Sequence, residues 1–224
     1  MVKLGPFQFI TGSGHVVTET RDVRDFDTIT VSGSGSIVIA QTGEESLTIE
    51  ADDNILPLLT SEVHNHNLQL GARRGAHFSI RGPIRYRVTV RDLRGLMISG
   101  VAKAQLSALT TDELRVTISG AGDLQASALT ASAVHVTISG SGDISLAGQA
   151  ARQEVHITGS GAYRAADLAS ERASVNVSGA GKATINARDR IDAHISGVGS
   201  IRYTGQPAIT RSISGSGSIR PLNA

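Results

Sequence analysis

One short phrase recurs along this chain at near-constant spacing, and that recurrence limits the folds open to it more than any other feature. The phrase runs aliphatic, any residue, aliphatic, Ser or Thr, Gly, small residue, Gly, any residue, aliphatic. Two consecutive copies read Val116-Thr117-Ile118-Ser119-Gly120-Ala121-Gly122-Asp123-Leu124 and Val136-Thr137-Ile138-Ser139-Gly140-Ser141-Gly142-Asp143-Ile144. The first glycine of each copy falls at 12, 33, 100, 120, 140, 159, 179, 197 and 215, and from 100 onward the steps are 20, 20, 19, 20, 18 and 18. A fixed period near 20 marks a repeat architecture.

The phrase has a physical reading. Alternating β-branched residues before the glycines make a short strand. Glycine tolerates φ > 0, so the glycines are expected to turn the chain there. A second alternating strand follows, as in Ile144 and Leu146 or Ile37 and Ile39. A unit this short buries its apolar face only against its neighbours. Stacked in parallel about 4.8 Å apart, the Ile/Val positions form the interior. The Ser/Thr positions form an outer hydroxyl ladder beside the corner. Interior sizes trade off, since Leu124 is followed two on by Ala126, while Ala104 is followed by Leu106 and Ala183 by Ile185. The expected fold is an all-β parallel β-helix, or solenoid, of about 20 residues per coil, forming a single domain over residues 1–224. Residues 1–95 form irregular N-terminal coils with hairpin insertions, and 96–220 form the regular coils.

The step of 67 residues from Gly33 to Gly100 breaks the period. Asp52, Asp53 and Asn54 read as a cap on one helical turn over 55–59. Val63 to Leu70 reads as a hairpin tipped by His64-Asn65-His66-Asn67. Tyr86, Val88 and Val90 alternate with Arg85, Arg87 and Arg91, giving a strand with one basic face. Aromatic residues make up 3% of the chain, all four Phe lie at or before Phe78, and the regular region holds only Tyr163 and Tyr203. That distribution fits an interior too narrow for rings.

The stretch from Phe26 to Gln41, then Leu47-Thr48-Ile49-Glu50-Ala51-Asp52-Asp53-Asn54-Ile55-Leu56 and the Gly-x-Gly copies after it, resembles the head GIN domain family of autotransporter adhesins over about residues 20–218. The resemblance implies a right-handed β-helix behind a bacterial export signal, and it implies no catalytic residues. The composition excludes other classes. There is no cysteine and hence no thiolate chemistry, and no apolar run long enough to span a membrane as a helix. Net charge is +1, which gives the whole molecule no strong electrostatic preference. The start, Met1 to Pro6, shows no apolar leader core. The protein is then either cytosolic or exported with its leader absent from this chain, and with the resemblance we expect the second, in the periplasm or at the cell surface.

Four groups of residues are candidates for chemistry. Asp123 and Asp143 occupy one station in adjacent copies, at a stacking distance that suits a carboxylate pair in a retaining glycosidase. Two exposed acids offset by Lys103 is the reading we take, because Ala162 and Lys182 continue the column. His64, His66 and His77 read as a turn that carries histidines, and His156 and His194 stand two coils apart, too far to share a metal. The glycines lead into strands and not helices, so they are no phosphate loop, and no cofactor is implied. Arg73, Arg74, Arg81, Arg85, Arg87, Arg91 and Arg94 fall within 22 residues, opposed in sequence only by Asp92. They make either a face for an anionic surface glycan, lipid head groups or another envelope protein, or charge protecting a sheet edge. Nucleic acid is a poor partner, because few aromatics interleave.

Overall fold

The computed structural model describes residues 9–222. Met1 to Pro6, read above for a leader, lie outside that range. Among the described residues nearly every element is a strand, and the one helical piece is a single 3-10 turn, Leu56–Leu58. The regular coils stack in parallel, with a register shift between Ala126 and Leu129 where one coil is a residue shorter than the last. Val116 pairs Val136, Val136 pairs Val155, and Val155 pairs Val175. On the second side of the coil Ala104 pairs Leu124 and Leu124 pairs Ile144. Ile144 in turn pairs Tyr163, which pairs Ala183.

The glycine column is real, but its cause differs from the turn geometry expected. Within the stack only Gly35, Gly148, Gly205 and Gly215 have left-handed φ. Most of the other corner glycines, Gly33 excepted, are needed because the coils approach too closely for a Cβ. A methyl on Gly140 would strike the carbonyl oxygen of Gly120, and one on Gly120 that of Gly100. The same oxygens accept hydrogen bonds at 3.1–3.2 Å from the N–H groups of Ser141 and Ala121. The corner is thus a backbone ladder with no room for side chains. Gly12 stands outside it. Its strand, Phe9–Thr11, pairs His77–Ser79 in a separate two-stranded sheet, and its Cα faces the carboxylate of Asp52.

Ile118, Ile138 and Ile157 are wholly buried, each contributing about 1.5–3 kcal/mol through lost apolar hydration. The size trade-off holds in register. One column runs Ala104, Leu124, Ile144, Tyr163, Ala183, Ile201, and its neighbour two residues on runs Leu106, Ala126, Leu146, Ala165, Ile185, Tyr203. The regular coils do bury a ring, contrary to expectation. Tyr163 is fully buried, flanked by Ala165 on its own strand and Ala183 on the next. Its hydroxyl donates to Gln153 Oε1 at 2.8 Å. Gln153 Nε2 donates to Ser170 Oγ at 2.9 Å, and Ser170 donates to the Asn186 carbonyl at 2.6 Å. Small neighbours make the space, and a satisfied polar chain inside the core removes the penalty for burying the hydroxyl.

The break between Gly33 and Gly100 builds the end of the stack. Asn67–Ala72 lies beside Thr28–Val31, and Arg85–Val90 beside Ser34–Gln41, so together they form a coil beneath the first full one. The chain then passes back over that first coil, where Gly95–Ile98 pairs Thr28–Val31 on its other side. Antiparallel strands close the end: Leu59–His64 on Asn67–Ala72, Ser46–Asp52 on Arg85–Val90, and Val16–Arg21 on Ser46–Asp52. The hairpin tip is as expected, with Asn65 and His66 at φ 50 and 61. The helical turn is not capped by Asp52, Asp53 or Asn54, and Ile55 holds the cap position without a side-chain bond. Asp52 is buried instead and accepts from the N–H groups of Arg81 and Gly82, while Asn54 and Asp53 hold the loop after Thr11. At the far end Arg211 stands in register with the buried Val175 and Ala193 but is itself exposed, a charge on a terminal strand. Pro221 closes the final strand, Ser218–Pro221, at that open edge, where its missing N–H does no harm.

Candidate functional site

The corner acids are held by the next coil. Asp123 and Asp143 share a station with Lys103, one and two coils beyond it. Asp123 Oδ1 accepts from the Asp143 N–H at 3.2 Å, and Asp143 Oδ1 accepts from the Ala162 N–H at 2.9 Å. Asp143 Oδ2 pairs with Arg164 at 2.9 Å, a partner the column reading missed because it arrives from two residues along the strand. Lys103, Gln105, Asp123, Gln125, Asp143 and Arg164 line a shallow concavity of about 370 Å3.

The basic region divides into parts. Arg73 and Arg74 lie in the turn after Asn67–Ala72, and Arg81 in the loop before Arg85–Val90, all exposed. Arg85 and Arg87 point outward from one strand, and both pair with Glu50, at 2.6 and 3.3 Å. Arg91 pairs with Glu45 at 3.5 Å. Arg94 sits apart with Asp92 and Asp27, at 3.1 and 3.9 Å, lining a concavity of about 490 Å3. Folding therefore brings Glu50 and Glu45 to cations that only Asp92 opposed in sequence. For Arg85 and Arg87 there is no sheet edge to protect. Arg85–Val90 is paired on both sides, parallel to Ser34–Gln41 and antiparallel to Ser46–Asp52.

The histidines have local partners. His64 lies 3.1 Å from Glu62, and His66 Nδ1 lies 3.0 Å from the Asp25 carbonyl. His77 lies on the small two-stranded sheet, away from both. His156, Asn176 and His194 are in register on successive coils. Among the described residues no group of three or more His, Asp or Glu side chains is placed to hold a metal.

The outward face of the first strands was not singled out from sequence. It is a grid: Arg152, Glu154 and His156 on one coil, Arg172, Ser174 and Asn176 on the next, Arg190, Asp192 and His194 on the third. Glu154 lies between two rings, 3.0 Å from His156 and 3.0 Å from His135. The His156 hydrogen bond and the charge of His135 hold its carboxyl below the usual range. Arg190 does the same for Asp192, across 2.9 Å. The signal was present in the spacing, since Arg152, Arg172 and Arg190 repeat at 20 and 18 residues, the steps of the glycines at 159, 179 and 197. A search for local charge density passes over such a column.

Comparison with known proteins agrees with this geometry. Residues 25–207 match the family model described as "Putative auto-transporter adhesin, head GIN domain". A solved "putative adhesin" from Bacteroides fragilis is 30% identical, covers 95% of this chain and 100% of its own, and superimposes with a TM-score of 0.91. A "putative lipid binding protein" from Parabacteroides distasonis (23% identity, 96% and 100% coverage, TM-score 0.81) and a "putative adhesin" from Parabacteroides merdae (24%, 96% and 99%, 0.76) share the fold. No protein with a curated description matches. No helix among the described residues is long and apolar enough to cross a membrane. From its matched residues and its stacked glycine corners, the chain belongs to the head GIN domain family.

Proposed function

We propose that this is a non-catalytic protein of the bacterial envelope or surface, extracytoplasmic, with an adhesion or scaffolding role toward an anionic surface glycan. One observation supports it above others: the stacked coils present long, flat outward faces studded with in-register polar and cationic side chains. Such a face suits an extended polymer laid along it, as concave repeat surfaces suit extended partners. The carboxylates that would serve hydrolysis, Asp123 and Asp143, are engaged with backbone N–H groups and Arg164.

The basic region Arg73, Arg74, Arg81, Arg85, Arg87, Arg91 and Arg94 is one candidate contact. Binding through it is long-ranged and screened over about 8 Å at physiological salt, so adhesion to acidic glycan should weaken steeply from low to moderate salt. Replacing Arg85, Arg87 and Arg91 together by Ser should weaken it further. The melt should also fall by about 3 °C, roughly 1 kcal/mol, because Glu50 and Glu45, 16% and 5% exposed, lose cations. Undiminished binding in the triple variant would remove this region as a contact.

A further inference from the structure

Three consecutive coils carry arginine at one outward station. Arg152 is in register with Arg172, and Arg172 with Arg190, so neighbouring backbones stand about 4.8 Å apart. Three like charges at that spacing repel, and the fold does not require them. The coils on either side have Ala133 and Ala208 at the same station. Arg190 is neutralised by Asp192. Arg152 and Arg172 make no ion pair or side-chain hydrogen bond among the described residues. The acid that could have answered Arg152 along its strand, Glu154, lies between His135 and His156. At the matching station beside Arg172 the chain has Ser174. His135, Arg152, Arg172, Ser174, Arg190 and Asp192 line a concavity of about 460 Å3.

We propose that Arg152 and Arg172 form a subsite for carboxylates of an acidic polysaccharide running along the solenoid axis. The assignment rests on the adhesion reading above and names where that adhesion occurs. The ligand chemistry follows from the grid. A guanidinium matches a carboxylate with two parallel N–H donors. Ser174 and Asn176 supply neutral hydrogen-bonding groups on the middle coil. Glu154 and Asp192 flank them on the coils to either side, where they accept from sugar hydroxyls and repel a polymer more densely charged than one anion per residue.

The test uses the full chain with immobilised polygalacturonate, dextran sulfate and uncharged dextran. The wild type should bind polygalacturonate in preference to the other two. Arg152→Ser/Arg172→Ser should weaken that binding about 10-fold or more, the loss expected for charge-assisted hydrogen bonds. Its melt should be unchanged, since alanine already fills this station on two coils. Arg202→Ser/Arg220→Ser removes the same charge from the other strand face and should have a much smaller effect. Equal losses in the two double variants would reduce the subsite to general charge and overturn it. Polygalacturonate binding that survives Arg152→Ser/Arg172→Ser would overturn the subsite and leave the adhesion reading standing. Preference for dextran sulfate would overturn the carboxylate assignment. A wild type that binds no anionic polymer would overturn both readings.

Discussion

At the residue scale the fold is set by what is missing from the side chains as much as by what they bury. Gly140 and Ser141 are neighbours on one exposed corner, yet they answer to opposite constraints. The Cα of Gly140 faces the backbone of the coil before it, and Ser141 faces solvent. Gly140→Ala should therefore destabilise by about 1–3 kcal/mol, the range for overpacking a filled space, while Ser141→Asp should change the melt by less than about 0.5 kcal/mol. Thermal unfolding of the two variants checks this, and equal losses would mean the corner is not a close backbone contact. The glycines were legible as a column from their spacing alone. Their reason was not, because a turn with φ > 0 and a close approach between coils leave the same letter in the sequence. Tyr163 was misread for a related cause. Room for a ring depends on Ala165 beside it and Ala183 one coil later, and the polar chain through Gln153 and Ser170 joins residues whose contact only the folded coil reveals.

At the element scale, strands whose inward residues alternate were readable, and those whose partners lie out of chain order were not. Arg85–Val90 was recognisable from Tyr86, Val88 and Val90, but its place between Ser34–Gln41 and Ser46–Asp52 was not. That place turns a supposed edge into the interior of the end sheet and supplies Glu50 to Arg85. The first-strand face likewise emerges only when coils are stacked. Its ion pairs give a pH dependence. Glu154 has its pKa lowered first by the His156 hydrogen bond and then by the charge of His135. A carboxylate lowered in the folded state contributes stability that is complete above its unfolded pKa of about 4.3 and is lost as pH falls through the folded value. Asp189 and Asp192, lowered by Arg188 and Arg190, act in the same direction. The melt should hold level from roughly pH 7 to 5 and decline toward pH 3. Glu154→Gln should reduce that decline by well under 1 kcal/mol, because the pair is half exposed. Melts of both proteins across that range check it, and an unaltered slope in the variant would separate Glu154 from the effect.

At the scale of the whole molecule, a solenoid multiplies whatever one coil presents. Any station on the outward face becomes a line of side chains about 4.8 Å apart, and a line of that kind meets a polymer more readily than a small molecule. This is why function was less legible than fold: the period specifies the scaffold, while the ligand depends on which stations hold Arg, Ser or Asp, and sparse positions such as 152, 172 and 190 make no local motif. The central claim is that the protein holds an acidic polymer without cutting it. The most direct measurement is the size distribution of polygalacturonate recovered after prolonged incubation with the wild type and release in high salt. The account predicts a polymer retained at low salt, released at high salt and unchanged in length. Shortened chains with new reducing ends, absent when Asp143→Asn replaces the wild type, would contradict it and make the corner carboxylates catalytic.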